Sequence, residues 1–124
     1  MPFASLIGAE LVSASPDEVR GRLEWAPERC TIGGVLHGGV LMSLADSIAA
    51  YCAVLNLPAG AGTATIESNT NFFRAVREGY VEAVSTPLHV GRTTIVVQTD
   101  LLDGKGRRVA RVTQSQAVLI PSDR

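Results

Sequence analysis

A period of two runs through the second half of the chain. Thr63 to Phe73, Tyr80 to Val90, Arg92 to Leu102 and Arg108 to Ile120 predict four long strands. Gly79, Gly91 and Asp103-Gly104-Lys105-Gly106 supply the turns between them. A fifth strand precedes these. Val19, Gly21, Leu23 and Trp25 alternate with Arg20, Arg22 and Glu24, so one face is wet. Pro2 to Gly8 reads as a short helical turn, and Ala26 to Gly39 as a loop with a glycine-rich end. Val40 to Asn56 breaks the strand pattern. It is apolar nearly all round and rich in alanine, which predicts a helix buried on most sides, ended by Pro58-Ala59-Gly60-Ala61-Gly62.

This order, a strand, one long helix and then four antiparallel strands, predicts an α+β domain with one helix packed on one curved sheet. The 124 residues form a single domain, 1–124, with no internal repeat or linker. A helix apolar on nearly every face needs more cover than one such sheet gives. A homo-oligomer is therefore expected, with a second copy supplying the cover.

Composition narrows the class. With 46% hydrophobic and 19% charged residues, disorder and fibrous repeats are excluded. A net charge of −1, with no basic stripe carrying interleaved aromatics, gives no support to a nucleic-acid role. Cys30 and Cys52 fit no metal spacing. They read as small core residues of a reduced compartment, with one disulfide as the alternative. Met1-Pro2-Phe3-Ala4-Ser5 has no basic start before an apolar stretch, so no signal peptide is expected and the location is read as cytoplasmic. The apolar stretch around the helix is broken by Gly33-Gly34, Gly38-Gly39, Pro58 and Gly60. Its helical part falls short of the ~20 residues of a membrane span, so a buried central helix is expected and no membrane partner.

Between Arg29 and Glu67 the only formally charged residue is Asp46. An unpaired carboxylate inside an apolar helix costs several kcal/mol by order of magnitude. Residues one turn away, Met42, Ser43, Ala49 and Ala50, offer no cation. Asp46 is therefore either satisfied by another segment, as a structural carboxylate, or faces a cleft. Nine residues earlier stands His37, within Gly33-Gly34-Val35-Leu36-His37-Gly38-Gly39. Glycines before a helix let a ligand approach the free N–H groups of the first turn, where the dipole favours an anion. Oxyanion donor plus carboxylate is the minimum equipment for hydrolysing an activated acyl group.

The stretch HGGVLMSLADSIAAYCAVLN, followed by NTNFFRAVREGYVEAVSTPLHVGRTTIVVQTDLLDGKGRRVA, resembles the hotdog-fold acyl-CoA thioesterases. More narrowly, it is similar to the phenylacetate-pathway (PaaI-like) family and its relatives acting on 4-hydroxybenzoyl-CoA and 1,4-dihydroxy-2-naphthoyl-CoA. The likeness runs from about Thr31 to Leu119. It implies a five- to six-stranded antiparallel sheet wrapped around one long central helix, in dimers and often dimers of dimers, with sites at the dimer interface. It places Asp46 as general base or nucleophile, Gly38 N–H as oxyanion donor, His37 as a support of the loop or bound carbonyl, and Thr65 as the hydroxyl that orients water. Asp46 and Thr65 would come from one subunit, Gly38 and His37 from the other. Thr31 stands where relatives often carry Asn or Gln. Ala50 stands where Glu-type members carry Ser or Thr, a task that Thr65 takes over.

For the CoA moiety the resemblance implies Phe72, Phe73, Arg74 and Ala75 together with His89, Val90, Gly91, Arg92, Thr93 and Thr94. Guanidinium forks and turn N–H groups suit its phosphates. Residues 1–70 carry a net −4 and residues 71–124 a net +3, and ten of the eleven cations are Arg. Ordinary solvated strand faces account for that bias equally well. Since successive strand residues point to opposite faces, only one of Phe72 and Phe73 is expected to line a pocket. The expected activity is hydrolysis of an aryl- or medium-chain acyl-CoA, with the CoA thioester as substrate, no cofactor and no metal. The rivals are a non-enzymatic acyl-CoA-binding module and a hotdog dehydratase or hydratase. Ala49, Ala50, Ala53 and Val54 either leave room for an acyl group or allow close helix packing.

Overall fold

The computed structural model describes residues 1–121. Helix α1 (Pro2–Ile7) leads into strands β1 (Glu10–Ala14) and β2 (Val19–Glu24), then a 3-10 turn at Pro27–Arg29 and helix α2 (Gly38–Leu55). Strands β3 (Gly62–Phe72), β4 (Tyr80–Val90), β5 (Thr94–Asp103) and β6 (Arg108–Leu119) complete it. All six strands form one antiparallel sheet in the order β1-β2-β4-β5-β6-β3. This is the hotdog arrangement, one long helix held against one sheet.

The predicted elements are present, with two differences. β1 carries no periodic signal: all five of its residues are exposed, and its pairing slips between Leu11 and Ser13. Arg92 and Thr93 belong to the β4–β5 turn, closed by Gly91 N–H to Thr94 O at 2.8 Å, so β5 starts at Thr94.

The sheet buries one face of α2. Leu41, Leu44, Ala45, Ile48, Ala49, Cys52 and Ala53 lie in a core with Val81, Ala83, Ile95, Val97, Leu101, Val109 and Val112. Gly21 of β2 sits directly under the helix, where a Cβ would collide with the Ile48 side chain. Met42, Asp46 and Val54 remain exposed along a flank of α2 that the sheet does not cover. With 18 residues and a mean hydropathy of 1.6, α2 is long and apolar enough to cross a membrane, slightly longer than its sequence pattern indicates. Its eight buried residues make it the core helix of the sheet. Cys30 and Cys52 are both free thiols, and burial pushes the Cys52 thiol up to about 11.

Ion pairs hold the outer face. Burial opposes ionisation of Glu82, but Arg20 at 2.9 Å and Arg22 at 3.0 Å outweigh it and hold the carboxyl below its usual range. The Arg22 guanidinium also lies 3.9 Å from the Tyr80 ring centroid. At the β5–β6 turn, burial likewise opposes ionisation of Asp103. The Arg107 and Lys105 backbone N–H groups, at 2.9 Å each, and the Arg107 side chain at 2.8 Å hold it below its usual range. The turn closes through Gly106, whose φ of 77° suits glycine.

Because these two carboxyls ionise more readily folded than unfolded, their contribution is fully present above the ordinary carboxylate value of about 4.5. It is lost as pH falls from there through the lower folded values. Urea midpoints measured at pH 7 and near pH 3 should therefore fall on acidification, and Glu82→Gln should flatten the fall.

Candidate active site

Helix α2 begins at the glycine pair. His37 is its N-cap: its Nδ1 accepts from Gly39 N–H at 2.8 Å, which leaves the other ring nitrogen to carry the proton. Gly38 opens the helix, and among the described residues nothing accepts its N–H. A Cβ on Gly38 would stand 3.3 Å from the Phe72 ring, so the residue must be small for the aromatic ring to lie against the helix start. A cavity of about 370 Å³ opens there, lined among others by Thr31, Gly38, Phe72, Phe73, Arg74 and Ala75. Six residues assigned from sequence thus border one cavity. Both Phe72 and Phe73 line it, contrary to the alternation argument. β3 ends at Phe72, and Phe73 and Arg74 both donate backbone N–H to Val109 O, so the alternation stops there.

Asp46 lies two turns further along α2. It is exposed in the single chain, on the open flank of the helix, and another segment satisfies it. Its Oδ1 accepts from Gln114 Nε2 at 2.9 Å. The same Nε2 donates to Thr65 Oγ1 at 3.3 Å, and Gln116 Nε2 donates to it at 2.9 Å. Gln114 and Gln116 are 0% and 1% exposed, in phase with Val112 and Val118 on the inner face of β6. Thr65 faces them because it is paired with Gln116 and in phase with Thr63, and the bulge in β3 follows it, between Thr65 and Glu67. Gln114 Oε1 is buried with no partner, which costs about 1–3 kcal/mol. The sequence reading passed over both glutamines. Their signal is two amides at period two, in register with valines, inside an otherwise apolar strand face.

Two separations divide the site within one chain. Gly38 and Asp46 are eight residues apart on one helix, roughly 12 Å along its axis, too far to act on one carbonyl. Phe72 is level with Ala110 and Leu101, whereas the turn from His89 to Thr94 lies at the Ala117 end of β6. That is seven residues of β5, roughly 23 Å. His89, Val90, Gly91, Arg92, Thr93 and Thr94 therefore do not join the Phe72 cavity, although His89 lies close over the Gly91 backbone.

The described cations of the second half sort into two groups. Arg107 pairs with Asp103, and Arg108 and Arg111 both pair with Asp100. Arg74, Arg77, Arg92 and Lys105 make no ion pair among the described residues. A shallow cavity of about 540 Å³, running from Ala75 to Tyr80 and bordered by Lys105 and Arg107, continues from the Phe72 cavity through Ala75 and Val76. Of the small helix residues, Ala49 and Ala53 are packed against the sheet, while Ala50 and Val54 reach the open side.

Comparison with known proteins gives a consistent result. Residues 33–110 match the family model of the thioesterase superfamily. A Mycobacterium tuberculosis protein named as an esterase is 32% identical over 114 residues, covering 90% of this chain and 81% of that one. Its solved structure superposes with a TM-score of 0.94, covering 99% of this chain and all of the other. The 1,4-dihydroxy-2-naphthoyl-CoA hydrolase of Escherichia coli is 36% identical over 86 residues, 69% of this chain and 63% of that protein. A variant of the phenylacetic acid degradation protein PaaI from Thermus thermophilus, 25% identical, gives a TM-score of 0.88 over 96% of this chain and all of its own.

The capping role of His37 is separable from chemistry. His37→Ala should lower stability by about 0.5–2 kcal/mol, whereas His37→Asn should keep it within a few tenths, as read from urea midpoints.

Proposed function

The chain belongs to the thioesterase superfamily and is a thioester hydrolase, and from the way its site is divided we propose that two copies together hydrolyse an aryl- or medium-chain acyl-CoA to free acid and CoA. The observation that carries this reading is the free edge of β3, across which one two-fold axis would heal both separations. β3 is 11 residues long and exposed along nearly all its length. It pairs with β6 on one side only, at the edge of the sheet. Such an edge invites pairing with another strand. Antiparallel pairing with a second β3 reverses the ends. The partner subunit's Gly38 then comes to the level at which Asp46 and Thr65 stand. The partner's Phe72–Ala75 segment comes to the end that carries the turn from His89 to Thr94. The open stripe of Met42, Asp46, Ala50 and Val54 is covered in the same step.

In that composite site Asp46 takes a proton from water as the water attacks the thioester carbonyl. Thr65 Oγ1 already accepts from two amides. Its own proton is therefore available to the water oxygen, which supports water rather than Asp46 as the attacking group. The partner's Gly38 N–H, at a helix N-terminus, faces the oxygen on which charge develops. Collapse of the oxyanion breaks the C–S bond, and the departing CoA sulfur takes the proton that Asp46 had accepted and leaves as the thiol. Arg74 and Arg92, neither paired with a carboxylate among the described residues, hold its phosphates. Ala50 and Val54 border the acyl group. A dehydratase reading loses ground because no histidine stands on the helix beside Asp46 and the Nδ1 of His37 is committed to capping.

Asp46→Asn keeps size and should lower hydrolysis of an acyl-CoA panel by at least ~10²-fold while folding survives. Thr65→Val removes, besides the two bonds accepted from Gln114 and Gln116, the one neutral hydrogen bond donated to water, about 0.5–1.5 kcal/mol, and should cost less rate than Asp46→Asn. Light scattering should give a mass at least twice the 13.1 kDa of one chain. A stable monomer with full activity would overturn the composite site.

A further inference from the structure

We propose that Gln114 is a positioning residue for the hydrolysis: its buried amide fixes which oxygen of the site accepts a proton and which group donates one. This rests on Asp46 being the base. Both amide hydrogens of Gln114 are spent at the reacting pair, one on Asp46 Oδ1 at 2.9 Å and one on Thr65 Oγ1 at 3.3 Å. The amide orientation is dictated by its neighbours. An ionised carboxylate only accepts, so the NH₂ side must face Asp46. The cost falls on the other end, where Oε1 is buried with no partner. A side chain kept only for packing has no need of that arrangement, since an apolar residue of the same size would fill the space without an orphaned oxygen. Gln116 reinforces the polarity. Its Nε2 takes the second lone pair of Thr65 Oγ1, and its own Oε1 lies 3.1 Å from Thr63 Oγ1.

The consequence is directional. With Oδ1 of Asp46 engaged, the other carboxylate oxygen is the one presented to water. With both lone pairs of Thr65 engaged, its hydroxyl is left with one function, to donate. The two glutamines are fully buried on a central strand, so the pair they hold is set by the sheet rather than by a mobile loop.

The test is a double-mutant cycle of Asp46→Asn and Gln114→Met on the full chain, with kcat and KM measured for an acyl-CoA substrate and melting followed in parallel. Gln114→Met keeps the side-chain length and removes the donors. The expected result is a roughly ten- to hundred-fold fall in kcat, a KM changed less than about two-fold, and a melting temperature that does not fall in step. In the Asp46→Asn background the same change should cost little further, because the amide acts through the carboxylate. Should Gln114→Met fold poorly, Gln114→Asn keeps a buried amide but withdraws it from Asp46, and the same fall in kcat is expected. If Asp46→Asn is inactive while both Gln114 variants keep the parent kcat, this inference fails and the assignment of Asp46 stands. Losses that multiply fully in the double variant also overturn it. Full activity of Asp46→Asn would overturn the base assignment and this inference with it.

Discussion

Leu41, Leu44, Ala45, Ile48, Ala49, Cys52 and Ala53 press one side of α2 into the sheet, and a single sheet reaches no further round a helix. The side left open carries Met42, Asp46 and Val54. Small residues at Ala45, Ala49 and Ala53, with Gly21 beneath Ile48, bring helix and strands close together. That closeness lets a glutamine on β6 reach a carboxylate on α2. The open side of the helix and the free edge of β3 adjoin one another. Each asks for cover, apolar contact for the helix and backbone pairing for the strand.

Placing Gln114 and Gln116 where Val112 and Val118 continue the same face exchanges apolar packing for polar order. Burying an amide without full satisfaction is unfavourable. What the fold gains is a carboxylate and a hydroxyl held at set distances from a rigid strand. Strain of this kind tends to gather where chemistry is done. Thr65 needs no such compromise, since regular pairing with Gln116 already turns its hydroxyl inward.

Much of the architecture was legible because helix and strand periods differ so clearly between Val40–Asn56 and the segments that follow. β1 was not, because a strand exposed on both faces has no hydrophobic rhythm to read. Asp46 was conspicuous as an isolated charge, but its environment was not. Nearest neighbours along a helix say nothing of a strand partner 68 residues away. Phe72 and Phe73 misled for a local reason, since alternation holds only while a strand continues. The charge bias of the second half was read both as a phosphate site and as ordinary surface. The structure divides it: Arg107, Arg108 and Arg111 are strand-face ion pairs, and Arg74, Arg77, Arg92 and Lys105 are left over.

Those unpaired cations stand at both ends of the sheet, Arg74, Arg77 and Lys105 near the Phe72 end and Arg92 at the other. A single chain offers an extended polyanion neither end complete. The two-fold that would carry the partner's Gly38 to Asp46 would also carry the partner's Arg74 toward Arg92. Acid–base chemistry and anion binding would then be completed by one assembly event rather than two. Dissociation would remove the oxyanion donor and the phosphate contacts together, so a lone chain would keep its folded core and its Gln114–Asp46 bond yet have nothing to hold a thioester against them. On the proposed reading, oligomeric assembly is part of the reaction geometry, because Gly38 and Asp46 stand eight residues apart on one helix and cannot both reach one carbonyl.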